Sequence, residues 1–347
     1  MAQIDERATT EYRQALWRGL DRVLDSAPPD ANLHVHGLGP LAAWRLRQHG
    51  ETAPEALEEI SLRSAYGTVT AAPLMQRIRE AVEGPMVVIK GPEIAALYPR
   101  PALRPYGDLD LLVENLARAE SQLVEAGFEL VGPADRKLPG HHHDQPLRLK
   151  GLALAIELHR NPGWLSWQRR PSNEEVFAPS VASATAVEGV SAMPAADHAL
   201  LLAAHSWRHG PYHSWVHLID IALAREAADA DEIERLAREW GLAGVWESSC
   251  RAIDAVFVDI GDWPKGIDRV WSRHLFAMRE RSLLEYYAAY WLKGLAAPTA
   301  RARSRAVFDD VRFSFTAHPW QTPRSKVKRI GAALLRARKP ASEHRFR

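Results

Sequence analysis

The sequence predicts an α+β fold: a small sheet-bearing core flanked by helical N- and C-terminal parts. Three observations carry that reading. Apolar residues recur at helical spacing up to about residue 83, short continuous apolar runs bounded by Gly and Pro fill residues 84–162, and helical spacing returns beyond Pro194. The expected organisation is a helical part over 1–83, a core over 84–162, a second helical part over 163–300 and a basic tail over 301–347.

Tyr12, Ala15, Leu16, Leu20 and Val23 define the first helix, which Pro28-Pro29 breaks; Leu41, Trp44 and Leu46 mark another. Met86-Val87-Val88-Ile89 reads as a buried strand. It ends at Lys90-Gly91-Pro92, where Gly91 caps a following helix and Pro92 takes its first position. Residues 109–113 predict a second strand, 116–126 a helix closed by Gly127, and 128–131 a short strand. A loop through Gly132, Pro133, Pro139 and Gly140 leads to a strand at 145–149. Lys150-Gly151 then turns the chain into a last strand at 153–159, and Asn161-Pro162-Gly163 is expected to end the sheet. Helices are expected at 197–207, 216–227, 231–240, 245–257 and 282–292.

Composition narrows the class. With 46% hydrophobic and 25% charged residues, the chain is globular rather than disordered. Its single cysteine, Cys250, excludes an internal disulfide framework and an all-cysteine zinc site. The first residues are charged and polar, without a secretory apolar stretch, and no apolar run approaches a membrane span, so the expected location is the cytoplasm. The net charge of +1 conceals an asymmetry: residues 301–347 hold 13 Lys and Arg against 3 Asp and Glu, leaving an acidic body. Such a tail is either a solvated terminal helix or a contact for an anionic partner, nucleic acid or a membrane surface.

The central chemical signal is Gly107-Asp108-Leu109-Asp110-Leu111-Leu112-Val113. Side chains alternate along a strand, so Asp108 and Asp110 share a face about 7 Å apart, with Leu109, Leu111 and Val113 on the opposite one. Paired carboxylates on one face suit a hard divalent cation, and in two-metal phosphoryl chemistry a shared carboxylate bridges the ions. Three neighbouring features strengthen the signal. Lys90-Gly91 stands at a strand-to-helix junction, where unpaired N–H groups and a mobile ammonium favour phosphate, although a snorkelling lysine would look the same. Arg104, four residues before Asp108, suits either a phosphate or a structural pairing with the aspartates. Glu157, between Ile156 and Leu158, faces away from the apolar layer and is placed to orient or deprotonate an acceptor hydroxyl, unless it is an ordinary exposed strand residue.

Taken together, Lys90-Gly91, Leu97-Tyr98-Pro99, Arg104, Asp108 to Val113 and Ile156-Glu157-Leu158-His159 resemble, in order and spacing, a bacterial nucleotidyltransferase family of the polymerase-beta-like superfamily. Weaker likeness extends over about 31–257, including His36-Gly37 and the segment holding His205 and Asp220. The resemblance implies a small mixed β-sheet core with a three-carboxylate site of Asp108, Asp110 and Glu157 for Mg2+ or Mn2+. It also implies a nucleoside triphosphate substrate, ATP in the first place, whose nucleoside monophosphate passes to an acceptor on a small molecule, peptide or protein. Many superfamily members carry Gly-Ser where this chain has Lys90-Gly91, so Lys90 and the Gly91 backbone stand in for the serine contact to the triphosphate. Two other classes stay open: a catalytically silent nucleotide-binding or interaction protein on the same cleft, and a nucleic-acid-binding module built on the tail.

Other clusters are weaker. His141-His142-His143-Asp144, with His159 nearby in sequence, invites a metal reading, but adjacent histidines point alternately and zinc needs three or four converging ligands. His205, Arg208 and His209 near one helix end, with Asp220 on the next helix, serve either a ligand or the helix dipole. Trp164, Trp167, Trp207 and Trp215 read as core or interface rather than as substrate platforms.

Overall fold

The computed structural model describes residues 6–131, 146–162, 164–165, 167–169, 171–258 and 263–316. The chain forms two compact units, one within Gly39–Trp164 and Arg170–Leu201, the other within Met1–Leu38, Leu165–Arg169 and Leu202–Arg347. The first carries a mixed sheet with helices, and the second is helical among its described residues.

In the sheet-bearing unit, α2 (Gly39–Gln48) and the long α3 (Glu55–Ala81) precede β1 (Met86–Val88). A one-turn α4 (Pro92–Ala95) follows, then β2 (Asp108–Val113), α5 (Leu116–Glu125), β3 (Glu129–Leu130), β4 (Leu147–Arg148) and β5 (Ala155–His159). The Asn115 side chain accepts from the Arg118 N–H to start α5, and Gly127, at a φ of 90°, ends it as expected. The strand order is β3-β4-β5-β2-β1, and two further strands complete it: β7 (Ser191–Ala192) pairs parallel with β1, and β6 (Val181–Ala182) pairs antiparallel with β7. The sheet therefore does not end at residues 161–163. After a short α6 (Asn173–Phe177) the chain returns to the free edge of β1, a connection that two-residue strands do not announce in the sequence.

Strand alternation sorts the side chains as expected. Leu109, Leu111 and Val113 of β2 join Met86, Val88, Leu147, Ile156 and Leu158 in a buried layer. Ala71, Leu74, Met75 and Ile78 of α3 and Leu116, Ala119 and Leu123 of α5 belong to the same cluster. Each large apolar side chain buried there contributes about 1.5–3 kcal/mol. That layer fixes which face of β2 and β5 is left for polar residues.

The helical unit begins with α1 (Glu6–Asp25), whose Gly19 lies so close to the Phe257 backbone that a Cβ would stand 2.4 Å from its Cα. The division between the units falls within α7 (Ala195–Arg208); α8 (Trp215–Glu226), α9 (Ala230–Glu239) and α10 (Ala243–Ile253) follow. The helix expected over 245–257 closes instead with a π-helical turn, Asp254–Val258. Then come α11 (Asp268–Phe276), α12 (Leu283–Leu292) and α13 (Ala300–Thr316); the sequence pattern does not single out α11, whereas α13 falls in the tail for which a terminal helix is one of the two readings. Trp207 and Trp215 are core residues here, their indole N–H groups donating to the Ser249 hydroxyl at 3.2 Å and the Leu275 carbonyl at 3.1 Å. Among the described residues, no helix is long and apolar enough to cross a membrane. His141, His142, His143 and Asp144, and the tail beyond residue 316, lie outside the described residues.

Candidate active site

β2 and β5 run parallel in register, with Asp108 opposite Ala155, Asp110 opposite Glu157 and Leu112 opposite His159. Because Leu109, Leu111, Ile156 and Leu158 occupy the core layer, Asp108, Asp110, Glu157 and His159 all belong to the other face. Adjacent strands stand about 4.8 Å apart, so the register alone sets Asp110 beside Glu157.

Asp110 is the centre of the group. It is 1% exposed, and its Oδ1 lies 3.0 Å from the Lys90 ammonium and 2.7 Å from His159 Nε2. Burial alone would raise its pKa, but Lys90 and His159 outweigh that and hold the carboxyl well below the usual range. An ionised Asp110 only accepts, so His159 donates to it through Nε2–H. Asp108 behaves oppositely. Burial, then the negative charges of Asp110 and Glu157, push it up to about 6, against the smaller opposing pull of Lys90 and Arg104. Glu157 keeps partial exposure, with its Oε2 at 3.8 Å from His159 Nε2.

The residues expected from the sequence are thus brought together in one unit. Lys90 reaches Asp110 from the end of β1, and the Ile89 N–H donates to the Asp110 carbonyl at 3.0 Å. Gly91 has φ 69° and ψ −113°, and a Cβ there would stand 3.3 Å from the Asp108 carbonyl oxygen, so the tight approach of this turn to β2 requires glycine. Arg104 is buried just after a 3₁₀ turn, Pro101–Leu103, and its charge acts on Asp108. The helix expected after Gly91 is a single turn of four residues, because Leu97-Tyr98-Pro99 leads straight to the next loop. Its first-turn Glu93 is buried, accepting from the Ser183 hydroxyl and, at 2.9 Å, from the Ala184 N–H. A dipole that short adds little to phosphate attraction, which leaves Lys90 and Arg104 as the local cations.

The donor set fits a divalent cation. Asp110, Glu157 and His159 each offer one ligand atom, all within 4.8 Å of one another, and Asp108 adds a carboxylate on the same strand face. In the sequence His159 stands out only as part of a motif and for its closeness to His141–His143. Its place two residues after Glu157 on the same strand is the signal that it shares the acidic face. His205 and Asp220 belong to the helical unit, where the His205 ring contacts those of His209 (4.7 Å) and His217 (5.9 Å), and Asp220 is buried. Arg208 also lies there; burial lowers its pKa, against an opposing influence from Tyr290. A cavity of about 810 Å³ in the same unit, lined by Trp246, Cys250, Trp263 and Asp268 among others, includes none of the candidate residues.

A mixed sheet bearing two aspartates on one strand and a glutamate in register on the next is the arrangement expected of a nucleotidyltransferase. Residues 31–257, more than half of the chain, match the family model described as uncharacterised nucleotidyltransferase, and the chain belongs to that family. Membership supports nucleotidyl transfer as the general class of activity. No curated protein matches the chain.

Proposed function

We propose that the protein moves a nucleoside monophosphate from a triphosphate, ATP in the first place, to an acceptor hydroxyl on a small molecule, peptide or protein. The observation that carries this reading is the in-register pairing of Asp110 with Glu157, beside Asp108, in a member of a nucleotidyltransferase family. Asp108, Asp110 and Glu157 would hold Mg2+ or Mn2+, which would supply charge neutralisation and polarisation to the bound triphosphate. Lys90, on a flexible stem and 3.0 Å from Asp110, supplies a mobile positive charge for the outer phosphates. Arg104 adds a second positive charge near Asp108. Glu157, half-buried where Asp110 is fully buried, receives the acceptor's proton as the hydroxyl oxygen bonds to the α-phosphorus. The α–β bridging P–O bond breaks in line, and pyrophosphate leaves with those electrons.

One observation favours a second reading, a catalytically silent nucleotide binder: Asp110 Oδ1 is already approached by both Lys90 and His159, as a structural ion pair would be. The test is pyrophosphate release by the full-length protein with each triphosphate, Mg2+ or Mn2+, and pooled acceptors, with Asp110→Asn as control. Release that depends on Asp110 supports transfer. Nucleotide binding without release under any pairing supports the silent reading, and neither binding nor release overturns both.

A further inference from the structure

The acidic face also holds a nitrogen donor, His159. His159 Nε2 stands 2.7 Å from Asp110 Oδ1, on a buried ring whose strand position opposite Leu112 aims it along the acidic face. Metal bonds to carboxylate oxygen and imidazole nitrogen run to about 2.1 Å, so neighbouring donors around one ion stand roughly 3 Å apart. The 2.7 Å from Nε2 to Asp110 and the 3.8 Å from Nε2 to Glu157 Oε2 bracket that spacing. Three ligand atoms within 4.8 Å, one of them nitrogen, make a different donor set from an all-carboxylate one.

We propose that His159 is a metal ligand, so that the site is a mixed nitrogen–oxygen centre of Asp110, Glu157 and His159 suited to a first-row transition dication rather than to Mg2+ alone. This rests on the nucleotidyltransferase reading for the identity of the site, but not for its ligand set. The chemistry follows from softness. Mg2+ takes oxygen almost exclusively and gives up water reluctantly, whereas imidazole adds affinity for Mn2+ and more for the ions that follow it in the series. Binding forms Oδ1–metal and Nε2–metal bonds and breaks the Nε2–H···Oδ1 hydrogen bond. In a neutral ring the proton moves from Nε2 to Nδ1 by exchange with solvent, and a protonated ring releases its Nε2 proton to solvent while keeping the one at Nδ1. Asp108, two residues before Asp110 on the same face, remains as a further carboxylate for the same ion or a second one.

The test uses full-length, chelator-treated protein and Mn2+ alone, with no nucleotide. Free Mn2+ is followed by electron paramagnetic resonance, and the bound ion by the spin-echo modulation that a directly bonded ¹⁴N imparts. The expected result is nitrogen coupling in the parent protein and its loss in His159→Gln. Mn2+ affinity should fall by at least about tenfold in that variant, while Mg2+ affinity changes far less. Bound Mn2+ without nitrogen coupling in the parent overturns the inference, even if every variant fails to fold. Coupling that persists in folded His159→Gln overturns it too, since the nitrogen then comes from elsewhere. The two readings fail separately. Mn2+ binding indifferent to both Asp110→Asn and His159→Gln removes the metal centre altogether, whereas His159-dependent coupling in a protein that never releases pyrophosphate keeps the centre and removes the transferase.

Discussion

Asp108→Asn should make the metal-free protein more stable. In the folded chain burial, and then the charges of Asp110 and Glu157, raise the Asp108 pKa from 3.8 to about 6, despite Lys90 and Arg104. A tenfold change in proton affinity corresponds to about 1.4 kcal/mol, so the ionised carboxylate costs the fold up to about 3 kcal/mol. The sign follows from proton uptake. With a folded pKa above the unfolded one, the native state holds more protons between about pH 4 and pH 6, so its stability falls as pH rises through that window. The full penalty applies above it. Asparagine keeps the shape and removes the charge. Urea unfolding with chelator present should therefore give Asp108→Asn a higher midpoint than the parent at pH 7.5, and the advantage should shrink towards zero near pH 4. Saturating Mn2+ should narrow the gap if Asp108 helps to hold the ion, because a ligand at 100 times its dissociation constant adds about 2.7 kcal/mol to whichever protein binds it, close to the penalty it offsets. A variant no more stable than the parent at pH 7.5, or equally favoured at both pH values, refutes the argument that burial and the neighbouring carboxylates make an ionised Asp108 costly in the folded state.

Two further outcomes probe the division of labour. Lys90→Ala should weaken triphosphate binding by about 1.5–3 kcal/mol and monophosphate binding far less, measured by calorimetry, because its charge is assigned to the outer phosphates; equal weakening of both would return Lys90 to a purely structural partnership with Asp110. Glu157→Gln should keep nucleotide affinity within a few-fold while transfer, or slow hydrolysis with water as acceptor, drops by roughly 10²–10⁴; undiminished turnover would take Glu157 out of the chemistry.

The parts of the fold legible in the sequence are those whose signal is long enough to repeat. β1, β2 and β5 announce themselves by apolar runs and alternation, and most of the helices by spacing and by end signals such as Gly127, which closes α5 at a φ of 90°. β6 and β7 have two residues each, too few for any period, and their pairing with β1 is a long-range choice that local composition does not encode. The meeting of Asp108, Asp110 and Glu157 on one face follows from alternation, but the distance between the two strands' carboxylates depends on register, which no single sequence states. Lys90 illustrates the same limit. Its position at a strand end is legible, whereas its 3.0 Å approach to Asp110 depends on the antiparallel pairing of β1 with β2, in which Val88 stands opposite Leu111.

The register of β2 against β5 makes the chemistry all-or-none. A slip of one residue would set Ile156 or Leu158 opposite Asp110 and turn Glu157 into the apolar layer, a move the core would resist with every large side chain in it. A chain that loses this pairing therefore loses the core with it, rather than keeping a loosened acid pair. Novelty in what is modified must then come from segments outside these two strands, where substitutions reshape the approach to the carboxylates without altering their separation. Damage and innovation fall on different parts of the same polypeptide.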